Sequence, residues 1–255
     1  MKRLVIFSFG IVSYAVFFAT FLYAIGFIGN FWVPKSIDSA HTGSVSGALA
    51  VDLALLGLFA LQHSVMARPA FKRWWTRRIP VSAERSAYTL LSSLALIALF
   101  ISWRPLGGVV WTVASEGGRA ALYSAYAFGW GLLLLSTFLI DHFDLFGLRQ
   151  VWLQWIRKPY TPPVFRTPWL YRQVRHPLYV GWLFTFWSTP VMTVTHLVFA
   201  VATTAYILIA IQFEERDLLA AHAEYEVYRQ HVPMLMPLLK FKRRAVERVR
   251  IGNES

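Results

Sequence analysis

Residues 175–217 read RHPLYVGWLFTFWSTPVMTVTHLVFAVATTAYILIAIQFEERD, and this stretch decides the fold. It opens on Arg175-His176-Pro177-Leu178-Tyr179 and closes on Glu214-Glu215-Arg216-Asp217, with an apolar run between them broken only from Pro190 to His196. Such a run predicts two membrane helices joined by a tight reversal. A reversal returns the chain to the side it left, so the two charged clusters are expected at one membrane surface. Ionisable side chains gathered at a lipid boundary are costly and mark ligand sites.

The rest of the chain agrees with a membrane setting. Of 255 residues, 56% are hydrophobic and 15% charged, against about a quarter charged in a soluble domain. The formal charge of +12 could suggest nucleic acid, but in so apolar a chain it marks loops facing anionic lipid. We therefore expect no nucleic-acid partner and contact with membrane lipid. Cysteine is absent, which removes disulfides, thiolate metal ligation and a cysteine nucleophile. Met1-Lys2-Arg3 precedes an uncharged run from Leu4 to Pro34. That run is longer than a signal-peptide core and is read as a retained first helix.

Hydropathy gives six segments, near 4–28, 45–66, 86–103, 120–141, 177–190 and 194–213. The fifth is short, cut by Pro190, so five full spans and a shallow hairpin fit as well as six. Lys and Arg crowd alternate loops: Arg68 to Arg85, Arg149 to Arg175, and the tail from Arg229 through Lys240 to Arg250. The intervening loops hold little more than Lys35, Arg104 and Arg119. The positive-inside rule then puts both termini and both charged clusters in the cytoplasm. The expected fold is all-α: a polytopic bundle of five or six transmembrane helices, a C-terminal helical hairpin, and a cytoplasmic amphipathic helix. The last is read from Leu218, Leu219, His222, Tyr225 and Tyr228 at helical spacing. A short interfacial helix is expected near 150–156. One domain accounts for the chain, with N-terminal helices over 1–141, a ligand-binding region over 142–239 and a basic tail over 240–255.

Candidate residues follow from position. Pro177 suits the first turn of a helix, placing Arg175 and His176 beside open backbone N–H groups that can receive a carboxylate. Gly181 permits close approach of a ligand or a helix. Glu214 and Glu215 can pair with Arg175 or bind hydroxyls and a cationic centre. Gln62-His63-Ser64 and Asp141-His142-Phe143-Asp144 end the second and fourth segments on the same side, where they could orient a substrate or remove a proton. Each of these features also has a structural reading, as interfacial anchors, helix-end ion pairs or interhelical hydrogen bonds. Asp52 and His196 lie toward the other side and are read as structural. No His pair has the i, i+4 spacing of a zinc helix, and no metal is expected. Glycine-rich phosphate-binding signatures are absent.

Tyr171-x3-Arg175-His176-Pro177-x-Tyr179-x-Gly181, the hairpin, Glu214-Glu215-x2-Leu218, Tyr225-x2-Tyr228 and Val232-Pro233-x3-Pro237 resemble the integral-membrane methyltransferases. Those include isoprenylcysteine carboxyl methyltransferases and bacterial phospholipid N-methyltransferases. Leu61-Gln62-His63-Ser64, Glu84-Arg85-Ser86-Ala87-Tyr88 and His142-Phe143-Asp144-Leu145-Phe146-Gly147 are similar to the NnrU-like branch, and within it to the methanethiol S-methyltransferases. The resemblance implies S-adenosylmethionine as cofactor and a bacterial inner-membrane enzyme that converts methanethiol to dimethyl sulfide. It implies that Tyr171, His176, Pro177, Leu178 and Tyr179 line the cofactor, with Arg175, Gly181 and Glu215 in the same motif. Glu214 would hold its polar portion, and Pro163, Val164, Phe165 and Arg166 would cover another side. Gln62, His63 and Asp144 would face the thiol, with His63, Asp141, His142 or Glu214 as base. Ala210 and Gln212 stand where prenylcysteine enzymes can carry an Arg for a substrate carboxylate, which favours an acceptor without one. Another thiol, a prenylcysteine or a lipid amine as acceptor stays open. So does a non-catalytic haem-binding or transport protein of nitrogen oxide metabolism.

Overall fold

The computed structural model describes residues 1–40 and 43–237; the expected basic tail from Lys240 onward lies outside them. Among the described residues, five helices are long and apolar enough to cross a bilayer: α1 (Lys2–Gly29), α2 (Val45–Ala67), α4 (Val81–Ser102), α5 (Glu116–Ile140) and α9 (Val194–Ala221). Short helices lie between them: α3 (Pro69–Trp75), α6 (His142–Leu145), α7 (Leu148–Trp155), α8 (Pro177–Trp187) and α10 (Glu224–His231). Phe27, Leu99, Phe100, Trp103, Trp130, Phe186, Phe199, Ile207 and Ile211 form the buried core, while Leu53, Leu58, Leu61, Leu94, Ile101 and Phe138 are exposed on the outside of the bundle. An apolar exterior is what a lipid-facing surface requires.

Helix α8 has 11 residues, about 16 Å of rise, against the roughly 30 Å of a hydrocarbon core. It is a half-span, so the six-span count gives way to five. Pro190 contributes by denying the helix a donor. Helix α8 packs mainly on α5, with less contact to its sequence neighbour α9. The reason is a pair of glycines. A Cβ on Gly181 would come within 2.9 Å of the Gly129 carbonyl oxygen, and one on Gly129 within 2.8 Å of the Gly181 carbonyl oxygen. The two backbones touch, as small residues allow between membrane helices.

The extended chain beyond α8 must satisfy its backbone groups before α9 begins. It does so by forming β2 (Val191–Thr193), antiparallel to β1 (Val109–Thr112), with Val109 opposite Thr193 and Thr112 opposite Val191. Val113 N–H donates to Pro190 O at 2.8 Å and Val194 N–H to Gly108 O at 3.1 Å. This ribbon was not expected from the sequence. His196, fully buried, approaches Phe186 O through Nε2 at 2.9 Å, and Asp52 accepts from Arg104 N–H at 2.9 Å. Both thus meet main-chain groups of the fold.

A second correction concerns the last helix. The Glu pair does not end it: α9 runs unbroken from Val194 to Ala221. The chain turns only at His222, in extended conformation with φ −136° and ψ 108°. The expected amphipathic helix is thus divided, with Leu218 and Leu219 on α9 and Tyr225 and Tyr228 on α10. Glu, Arg, Leu and Ala all favour helix, and neither Gly nor Pro interrupts Glu214 to Ala221.

Candidate active site

The opening and closing clusters meet, through the second acid. Glu215, 5% exposed, accepts from Arg175 Nε at 2.6 Å and lies 3.0 Å from His176 Nε2. Arg229 reaches its other oxygen at 3.4 Å from α10. Arg175 also donates through Nη1 to Arg229 O at 2.9 Å and Val232 O at 2.6 Å. The backbone continues the join: Arg175 N–H donates to Pro233 O at 2.9 Å and His176 N–H to Met234 O at 3.2 Å. Met234 and Leu235 then pack on the core. Arg175, His176 and Glu215 therefore tie α8, α9 and the segment after α10 into one unit.

Glu214 points elsewhere. Its Oε2 accepts from the Tyr179 hydroxyl at 2.8 Å. Tyr88 leads on to His63, with its hydroxyl 2.8 Å from Nε2 and 3.1 Å from Nδ1. His63 also lies 3.1 Å from Ser92 Oγ and stacks on Phe59. Tyr206 lies 3.1 Å from Ser64 Oγ. The neighbouring Gln62 donates to Met66 Sδ at 3.1 Å, and its buried Oε1 has no partner among the described residues. Tyr88 and Tyr206 thus bond the His63 end of α2 to α4 and α9. Sequence reading missed Tyr88 and Tyr206; the only signal was Tyr88 as the last residue of Glu84-Arg85-Ser86-Ala87-Tyr88.

The other candidate cluster has different work. The ring nitrogens of His142 lie 2.8 Å from Tyr14 Oη and 2.8 Å from Thr137 Oγ1, and its ring stacks on Phe138. Burial lowers its pKa below the usual histidine range. Asp141 caps α6 by accepting from Asp144 N–H at 3.1 Å. Asp144 accepts from Arg149 at 2.8 Å and from the Tyr160 hydroxyl at 3.2 Å. None of the three is hydrogen-bonded to Glu214, Tyr179 or His63 among the described residues.

The stretch Pro163 to Arg166 divides in two. Phe165 packs against the rings of His222, Tyr225 and Tyr228, under α10. Pro163, Val164 and Arg166 line a small cavity of about 210 Å³ with Asp141 and Arg149. Tyr171 is held at both ends: its carbonyl accepts from Tyr228 Oη at 2.5 Å and its hydroxyl donates to Ser136 O at 3.4 Å. Tyr228 titrates at about 12, raised chiefly by burial. Tyr225 is 2% exposed, and its hydroxyl has no hydrogen-bond partner among the described residues.

The donor set fits a sulfonium nucleoside. Glu214 offers a carboxylate to a cation or to hydroxyls, and the tyrosines offer aromatic faces to a positive centre. The first turn of α8 presents the Leu178 and Tyr179 N–H groups, because Pro177 has none to present and the first amides of a helix lack internal partners.

No protein-family model matches the chain, and no solved structure matches it. Methanethiol S-methyltransferase from Crocosphaera subtropica is 55% identical over 240 residues, covering 94% of each chain. The protein of that name from Mycobacterium tuberculosis is 52% identical, covering 93% of this chain and 98% of its own. Methanethiol S-methyltransferase 2 of Bradyrhizobium diazoefficiens is 53% identical, covering 96% and 95%. Identity at this level, over nearly the whole length, shows that the chain belongs to the methanethiol S-methyltransferase family.

Proposed function

We propose that the protein methylates methanethiol to dimethyl sulfide with S-adenosylmethionine, in a bacterial inner membrane, with both termini and the site on the cytoplasmic side. The observation that carries this reading is Glu214 on α9, whose carboxylate accepts from the Tyr179 hydroxyl of α8, in a chain of this family. S-adenosylmethionine supplies an activated methyl group on a sulfonium centre. Tyr171, His176, Pro177, Leu178, Tyr179 and Glu214 hold it, and Phe165 covers it with Pro163, Val164 and Arg166 behind. Arg175, Gly181 and Glu215 set the positions of those residues. The single domain divides at about 141 into N-terminal helices and this binding region, with α10 as the cytoplasmic amphipathic helix.

The tyrosine-lined wall excludes water and orients the acceptor. Alignment of reacting groups is worth about 7–11 kcal/mol in well-placed reactions. A thiol must lose its proton as its sulfur forms the new carbon bond. Glu214 and His63 are the bases that share this wall, with Gln62 beside the thiol. Asp141, His142 and Asp144 stand outside it and support α6 and α7.

The test is a panel of thiols with methyl-labelled S-adenosylmethionine, collecting volatile and lipid products separately. Methanethiol should give labelled dimethyl sulfide, and prenylcysteine and lipid amines should give no product. Label found only in lipid would overturn the choice of acceptor, and a Soret band in the purified protein would favour the haem reading. Glu214→Gln should weaken S-adenosylhomocysteine binding by calorimetry about 10- to 100-fold, since a hydrogen bond to a charged group contributes about 1.5–3 kcal/mol. Wild-type affinity in that variant would remove Glu214 from the pocket.

A further inference from the structure

A cavity of about 460 Å³ lies away from Glu214, among Lys72 on α3, Glu84 and Arg85 at the start of α4, Gln150 on α7, and Lys158 and Tyr160 beyond it. We propose that it binds the phosphodiester headgroup of an anionic membrane glycerophospholipid that carries a hydroxyl donor, phosphatidylglycerol being the simplest.

Charge is the first argument. Lys72, Arg85 and Lys158 all line the cavity, and none forms an ion pair with a described residue. Of the acids that border it, Asp144 is already bonded to Arg149 and Tyr160, which leaves Glu84 against three cations. Burial, and then the nearby Arg85 charge, push the Lys72 ammonium below the usual lysine range. A bound anion would oppose that shift through its opposite charge.

The second argument is an orphaned acceptor. Gln150 is 8% exposed, its Nε2 donates to Asp144 O at 3.0 Å, and its Oε1 has no partner among the described residues. A glycerol headgroup offers that oxygen hydroxyl donors set apart from the charged phosphate, whereas the P–OH of inorganic phosphate sits on the anion itself.

Depth is the third. The cavity lies between α3 and α7, short helices with two tryptophans each. Trp74 on α3 is 44% exposed, and on α7 Trp152 and Trp155 are 49% and 41% exposed. Exposed Trp concentrates at the headgroup level, where basic pockets between helices capture anionic lipid. Binding here is independent of which acceptor is methylated.

The test uses the full chain in mild detergent, titrated calorimetrically with short-chain phosphatidylglycerol, short-chain phosphatidylcholine and inorganic phosphate. Phosphatidylglycerol should bind at least about tenfold tighter than either of the others. Lys72→Gln and Lys158→Gln should each lower that affinity about fivefold, the share of one cation at an anionic surface. S-adenosylhomocysteine affinity should not change in either variant. Lys158 is exposed, so its replacement does not challenge the fold even if Lys72→Gln proves unstable. Equal binding of the two lipids, inorganic phosphate binding as tightly as phosphatidylglycerol, or unchanged affinity in Lys158→Gln would each overturn the proposal. A parallel loss of S-adenosylhomocysteine binding would assign the cavity to the cofactor instead.

Discussion

Glu215→Ala is expected to lower stability by about 3–5 kcal/mol, the cost of removing one partner from a buried ion pair. The Arg175 side chain is 10% exposed and that of Glu215 6%, so water cannot take over the lost bond. Arg175 cannot shed its charge. The Arg229 contact contributes little, because that side chain is 44% exposed. The loss should also be local. Glu215 fastens α9 to the residues that hold the Val232-to-Met234 backbone, so S-adenosylhomocysteine binding should disappear before the helices melt. Glu215→Gln keeps an acceptor for Arg175 and should fall between alanine and wild type. Thermal unfolding in detergent, followed beside ligand affinity, checks both statements. An unchanged midpoint in Glu215→Ala would show that the triad holds nothing together.

Gly181→Val should be comparably damaging, by a different cause. Backbone cannot retreat as a flexible side chain can, and a Cβ at 181 would meet the Gly129 carbonyl oxygen at 2.9 Å and the Leu133 amide nitrogen at 3.0 Å. Overpacking costs about 1–3 kcal/mol in ordinary cores, and this site stands at the upper end because its neighbours include main-chain atoms. Helix α8 must then lift from α5, carrying Tyr179 away from Glu214. The matching change Gly129→Val should behave alike, while Gly131→Val, on the same helix with nothing within 4 Å, should be tolerated. Loss of methyl transfer and a lowered unfolding midpoint in the first two variants alone is the expected pattern. Equal stability across all three would remove the glycine contact as the cause.

Much of this architecture was legible in the residues. The five long helices followed from hydropathy, and the convergence of Arg175 with a Glu pair followed from the reversal between them. What could not be read has physical reasons. Hydropathy reports where a chain leaves lipid, whereas helix termination depends on local breakers; hence the run of α9 past Glu214 to Ala221. The β1–β2 ribbon joins four-residue and three-residue strands far apart in sequence, too short for alternation to register. Which acid faces Arg175 depends on helical phase, and adjacent residues on a helix point about 100° apart. That rotation gives Glu215 to the ion pair and leaves Glu214 to Tyr179. Tyr206 sits inside an apolar run, where one hydroxyl scarcely alters the pattern, and Tyr88 stands at the polar start of α4 among Glu84, Arg85, Ser86 and Thr89.

The short helix and its ribbon act together as a caliper. Between His176 and Glu215 the chain travels down one limb, helical for 11 residues and then extended, and returns along the single rod of α9. The jaws close at the correct gap only when the two limbs match in length. Deleting one residue from the extended limb would shorten it by about 3.3 Å, against about 1.5 Å and a 100° swing for one taken from α9. Insertions and deletions between Ser188 and Thr193 should therefore misalign the jaws as surely as any substitution within them.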